Sequence, residues 1–263
     1  MIKIFIPVGG KPAWEELRYC LRSIDKYIPY AHVTIYSDRD IDWLQNVDFK
    51  KMDRFYPTNK SPKDYENYWD SSNKILQYSK HNLGLFVYAY DDIVFLRSFN
   101  PPLFDNVALQ EIYITDKLDG KHGHTIEKAI NLLNPIGVPI FNYETHIPRI
   151  FGTRNMVNLF DTFDILKQDI PPAISTLYYN YYFDRPRKIL AEHNDLRASF
   201  TFEEENDQSG CYIACKEWEI EQYCKDKYIL HYNDKGLNFA PGGVQILKEY
   251  IKKLFPNKCK YEK

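Results

Sequence analysis

The chain opens with apolar residues at alternate positions, Ile2, Ile4 and Ile6, in a short run ended by Gly9 and Gly10. This is the period of a β-strand closed by a turn. From Trp14 the period changes: Leu17, Leu21, Ile24 and Ile28 share one helical face, and Pro29 stops the pattern. A second strand is predicted at 32–38, where Val33 and Ile35 are apolar and the run ends on Asp38, with a third, short one over 47–52. The polar, turn-rich stretch 57–68 reads as a loop. A helix is then expected from a cap near Asp70 or Ser71, carrying Ile75 and Leu76 inward and ending before Gly84. The apolar run 85–90 that follows is a buried strand. It stops on two adjacent carboxylates, Asp91 and Asp92, and resumes as Ile93-Val94-Phe95-Leu96.

Strand–helix–strand alternation of this kind predicts an α/β fold with a parallel sheet and right-handed crossovers, whose ligands bind at the carboxyl ends of the strands. Gly9-Gly10, Asp38 and Asp91-Asp92 all fall at such ends, so one cleft is expected to contain them. The second half is less regular. Helices are predicted over 124–133, 155–166 and 173–182, an extended stretch over 139–151, and a C-terminal helix opened by Pro241 with Val244, Leu247, Ile251 and Leu254 on one face. No repeat or low-complexity tract divides the chain, and residues 1–263 read as one domain.

Composition narrows the function classes. With 263 residues, 44% hydrophobic and 27% charged, the chain suits a globular protein with a sizeable core. No apolar stretch reaches the length of a membrane span, and the start lacks the pattern of a secretory signal, so a cytoplasmic location is expected. The five cysteines include no CxxC pair, which points to neither a disulfide framework nor a zinc site. A net charge of −2 offers no global attraction to nucleic acid. The 22 tyrosines are the one compositional excess, suited to an aromatic core or to stacking surfaces for sugars or bases.

Two acids side by side at a strand end repel each other and lose hydration, and a cation is one way to compensate them. Hard divalent ions such as Mg²⁺ or Mn²⁺ prefer oxygen ligands, and a substrate's phosphates often complete the shell. The alternative is a solvated pair in a loop. Glu144, His146 and Arg149 lie within six positions in the extended stretch. Glu144 or His146 is a candidate base for a hydroxyl proton, and an arginine grips phosphate or carboxylate. The acidic run 203–207 offers other bases, but such runs are usually solvated faces. Lys and Arg cluster at 185–188 and 248–260 and are suited to tracking phosphates, while the C-terminal basic helix is equally suited to resting on a membrane surface.

The N-terminal strand, the helix "LRYCLRSIDKYIP", the strand ending "IYSD" and then "FVYAYDDIVFLRSFNP" together resemble the nucleotide-sugar half of GT-A glycosyltransferases. The resemblance implies a Rossmann-type parallel or mixed central sheet flanked by helices. Residues 1–100 would form the nucleotide-sugar half, and 101–263 the acceptor half and C-terminal helix. In that family an Asp-x-Asp motif holds a divalent metal against the sugar-nucleotide diphosphate. Here the tripeptide is Tyr90-Asp91-Asp92, so Asp92 matches the last position, Asp91 comes second, and the first acid of the pattern is absent. In "YILHYNDKGLN", His231 resembles the family's third metal ligand, and Lys235 and Gly236 its diphosphate contacts, in a different order and spacing.

By the same resemblance Pro7, Val8, Gly9 and Asp38 lie beside the nucleotide. What it implies is a Mn²⁺- or Mg²⁺-dependent transfer of a sugar from a UDP- or GDP-linked donor to a hydroxyl on a glycan or on a modified nucleic acid such as a hydroxymethylated DNA base. "YAYDDIVFL" also resembles the doubled-acid motif of Stealth-type capsule sugar-phosphate transferases, which makes sugar-phosphate transfer a second reading. A nucleotide-sugar-binding module without catalysis is a third.

Overall fold

The computed structural model describes residues 1–10, 14–57, 65–112, 118–190, 196–200, 217–232 and 241–263. The first half follows the predicted alternation: β1 (Ile2–Val8), α1 (Glu16–Tyr27), β2 (Ala31–Ser37), β3 (Asp48–Lys51), α2 (Glu66–His81), β4 (Leu85–Tyr88) and β5 (Ile93–Phe95). Beyond it come β6 (Val107–Ala108), β7 (Gln110–Glu111), α3 (Gly120–Leu133), β8 (Phe141–Asn142), β9 (Arg149–Gly152), α4 (Thr153–Thr162) and α5 (Ile174–Tyr182). The last elements are β10 (Lys188–Ile189), β11 (Arg197–Phe200), α6 (Glu217–Cys224), β12 (Ile229–Tyr232) and α7 (Pro241–Leu254).

The main sheet has the order β3-β2-β1-β4-β9. Its first four strands are parallel, as the alternation predicts, but β9 runs antiparallel to β4, with Tyr88 opposite Arg149. The sheet is therefore mixed, with an antiparallel strand added from the second half of the chain. Period two decides the layers. Ile4, Ile6 and Val8 face the core beneath α1, while Phe5 faces the opposite core, where it stacks on Tyr78 of α2 at 4.4 Å. That second core holds much of the tyrosine excess, including Tyr78, Tyr88, Tyr143, Tyr178 and Tyr179, so those rings serve packing.

The run interrupted by Asp91 and Asp92 is two strands in two sheets. The two acids form a turn, and β5 beyond them joins a separate sheet of order β11-β12-β5, in which β12 is antiparallel to β5. The register His231↔Ile93 carries the C-terminal histidine to the residue beside the acids.

Three expected boundaries shift. Helix α2 begins at Glu66, a turn before the expected cap, because Tyr65 and Trp69 bury its first turn and the Asp70 side chain is taken up by Lys74 and the Phe55 N–H. Helix α3 begins at Gly120, which places His122 on a helix. The helix predicted over 155–166 runs from Thr153 to Thr162, and Asp164 turns left-handed at φ 46° before a short 3₁₀ turn. Helix α7 turns Leu247, Tyr250 and Ile251 into a core shared with α6, leaving that apolar face unavailable to a membrane.

The chain's end locks onto its beginning. The Glu262 carboxylate is buried and accepts from Arg18 (2.5 Å) and from Arg22 Nε (2.6 Å), both on α1, while Tyr261 is buried and its carbonyl accepts from the Gln45 N–H.

Candidate active site

Two cavities meet at the carboxyl end of the parallel strands. One, of about 190 Å³, is lined by Pro7, Val8 and Gly9 after β1, by Arg54 and Lys74, and by Asp91. The other, of about 610 Å³, is lined by Tyr68, Asp92, His122, Glu144, His146 and Ser175. Asn67, Ser71, Tyr88 and Tyr90 border both. Adjacent residues in a tight turn point apart, so Asp91 faces the first cavity and Asp92 the second, with Tyr90 as the partition.

The first cavity is built on a close approach of backbone to a buried ion pair. Lys74, 0% exposed, donates to the Val8 carbonyl (2.8 Å) and to Asp70 Oδ2 (2.6 Å). A Cβ on Gly9 would meet Asp70 Oδ2 at 3.0 Å, and Gly10 has φ +71°, a conformation glycine adopts without strain. The Gly10 N–H donates to Asp38 Oδ2 at 3.0 Å, and Arg54 Nε lies 3.3 Å from the same oxygen while its Nη2 donates to Asn67. Asp38 thus holds the turn after β1 from behind. Asp70 and Lys74 are four apart on one face of α2, a spacing visible in the sequence only once the helix is known to begin at Glu66.

The second cavity is ringed by imidazoles and phenols. His146 lies between His122 and His231, with ring centroids 5.6 and 5.3 Å away, and Tyr90 stands 5.8 Å from it. His146 also holds a left-handed backbone at φ +46°, uncommon outside glycine. Its pKa is held well below the usual value, chiefly by burial, with His231, Arg197, His122 and Arg149 adding repulsion. It is therefore a neutral ring at neutral pH. Burial, and then the charge of Glu144, raises the Tyr68 pKa, and the same two causes raise that of Tyr90.

Glu144 is held in place. Its Oε1 accepts from the Thr176 N–H (3.1 Å) and hydroxyl (3.3 Å) in the first turn of α5, where backbone donors lack helical partners and a negative charge is favoured. Arg149, 0% exposed, sits behind this wall. Its Nη2 donates to the Tyr143 carbonyl, and its Nε and Nη1 have no hydrogen-bond partner.

At the turn, His231 Nε2 lies 3.3 Å from Asp92 Oδ2, while Asp92 Oδ1 is buried without a hydrogen-bond partner. An orphaned carboxylate oxygen beside an imidazole suits a divalent cation, which would complete its shell with phosphate and water. Among the described residues no group of three or more His, Cys, Asp or Glu side chains is arranged for a metal. Two protein ligands is what the geometry provides.

The structure thus brings Pro7, Val8, Gly9 and Asp91 into one cavity and Asp92, Glu144 and His146 into its neighbour, with His231 against Asp92. Lys235, Gly236 and the acidic run 203–207 lie outside the described residues. Arg54, Asp70, Lys74 and Tyr68 belong to the site without having been singled out for it in the sequence, and His122 lines the larger cavity with Tyr68.

No protein-family model matches the chain, and no curated protein matches it. Two solved structures of the galactosyltransferase LgtC, one in complex with donor and acceptor sugar analogs and one an active-site mutant, are similar to it. Each likeness covers 98% of this chain and 98% of the other, at 10% sequence identity and a TM-score of 0.49. At that level the likeness by itself assigns no activity. Among the described residues no helix is long and apolar enough to cross a membrane.

Proposed function

We propose that the chain is a GT-A-type glycosyltransferase that moves a sugar from a nucleoside-diphosphate donor to a hydroxyl acceptor. The observation that carries this reading is the pair of contiguous cavities divided at Tyr90, with Asp91 facing one and Asp92 the other. A group-transfer enzyme needs adjoining sites for donor and acceptor, and the end of the parallel strands is where an α/β sheet binds nucleotides. The nucleotide is assigned to the Gly9 cavity and the acceptor to the larger one.

Asp92 and His231 are the residues that would hold Mn²⁺ or Mg²⁺, and the ion would supply positive charge to the departing diphosphate. In the transfer the acceptor oxygen bonds to the anomeric carbon as the bond from that carbon to the diphosphate oxygen breaks, and the acceptor proton passes to a base. Glu144 is the better oriented candidate, since Thr176 fixes one carboxylate oxygen. His146, neutral and adjacent, is the second. Transfer of a sugar phosphate would use the same two cavities with attack on phosphorus, releasing a nucleoside monophosphate instead of a diphosphate.

Titration calorimetry with UDP and GDP, with and without Mn²⁺, tests the reading. Metal-dependent binding is expected, reduced at least tenfold in Asp92→Asn. Binding of neither nucleotide, in a protein that folds, would overturn the donor assignment.

A further inference from the structure

At the end of the main sheet opposite the two cavities, the surface changes character. A groove of about 290 Å³ runs between the start of β1, the start of β4 and the segment leading into β10, lined by Met1, Leu85, Pro101, Pro102 and Ile150, with Lys3 and Arg187 on its rim. Around it stand large apolar side chains with little cover: Met1 is 89% exposed, Leu83 83%, Leu85 70% and Ile189 49%. Lys3 Nζ donates to the Leu83 carbonyl at 2.8 Å, which ties the Leu83 turn to this rim. Ile189 lies in β10, two positions after Arg187.

Such exposure is costly in water, and an apolar patch of this kind with a polar rim marks a contact surface. Its charge says with what. Arg185 and Arg187 are both exposed and lie next to the groove, where the Arg185 carbonyl and the Arg187 N–H bond to Asn106. With Lys3 they place three cations at the rim, against Asp105, which lines the groove 3.6 Å from Arg187, and the exposed Asp184. Apolar side chains ringed by Lys and Arg match the interface of an anionic membrane, where the former enter the headgroup–acyl boundary and the latter meet lipid phosphates. Nucleic acid would use the cations and leave Leu83, Leu85 and Ile189 without a role.

We propose that this end of the sheet docks peripherally on an anionic lipid surface, turning the two cavities at the far end of the strands away from the bilayer. The proposal is independent of the nucleotide assignment.

Cosedimentation of the full chain with vesicles of phosphatidylcholine, and of phosphatidylcholine mixed with phosphatidylglycerol, tests it. Binding is expected to the mixed vesicles only. It should weaken roughly fivefold for each of Arg185→Gln and Arg187→Gln, and at least as much in Leu83→Asp, whose side chain is too exposed for the change to disturb folding. Leu85→Asp is the second apolar variant, with circular dichroism to confirm the fold of each. No binding to the mixed vesicles would overturn the proposal. So would binding that both leucine variants leave unchanged, or a preference for a duplex DNA oligonucleotide over the vesicles.

Discussion

The two cavities solve the problem of buried polarity in opposite ways. Around Gly9 opposite charges stand in pairs, Lys74 with Asp70 and Arg54 with Asp38, backed by the Val8 carbonyl, Asn67 and the Gly10 N–H, although Asp38 Oδ1 and Arg54 Nε lack a hydrogen bond. Around His146 several groups are left over, including Asp92 Oδ1 and two nitrogens of Arg149. Charges paired with one another hold each other in place, whereas a buried cation or carboxylate oxygen without a partner is costly and suits a site that a ligand completes. The contrast separates a scaffold for backbone contacts from a place where charge is held in reserve.

The largest expected effect lies on the ion-paired side. Lys74→Met keeps the volume but leaves Asp70 buried with its closest cation removed, and unfolding in urea should show a loss of about 3–5 kcal/mol. A loss below about 1 kcal/mol would mean that Arg54, 4.0 Å from Asp70, takes over and that the network is not rigid.

A satisfied charge outside either cavity sharpens the same point. Burial works against ionisation of Glu262, but the hydrogen bonds from Arg22 and Arg18 outweigh it and lower its pKa to about 2 from 4.5. A depressed folded-state pKa contributes stability above the unfolded value that is lost as pH falls from 4.5 toward 2. The contribution at neutral pH is up to about 3 kcal/mol. Glu262→Gln should therefore destabilise the protein at pH 7 and flatten the acid limb of its stability curve, read by urea unfolding at several pH values. An unchanged acid limb would show that the contacts of Glu262 with Arg18 and Arg22 add little to stability.

The smallest change in stability is expected on the unsatisfied side. Arg149→Met removes a buried cation with no carboxylate partner among the described residues, and the Tyr143 carbonyl keeps its bond from the Thr145 N–H. Stability should stay within about 1 kcal/mol or rise, measured by thermal unfolding. A loss of several kcal/mol would erase the contrast and make Arg149 part of the structural frame.

Much of the first half was legible from periodicity. The alternation at Ile2, Ile4 and Ile6, the helical face of Leu17, Leu21 and Ile24, and the strand before Asp91 are local patterns whose apolar faces had to be buried, and they are. The boundaries that moved depended on distant partners: α2 gained a turn because Trp69 found a core and Asp70 found Lys74 and Phe55. The same holds for the site. That Gly9 and the two acids fall at strand ends could be read from order along the chain, but that Asp91 and Asp92 face different cavities could not, because a turn between two sheets looks like an interrupted strand in sequence.

What the sequence determined alone was the α/β alternation, the packing faces of its elements and the kinds of side chain available at strand ends, since these depend on periods of two and 3.6 and on turn residues. Only the tertiary structure decided that β9 joins the sheet antiparallel, that His231 reaches Asp92 through the register of β12 on β5, and that Glu144 meets the first turn of α5. Each of these is a pairing between residues far apart in the chain. No local pattern encodes such pairings, because their energy arises only when both partners are desolvated together.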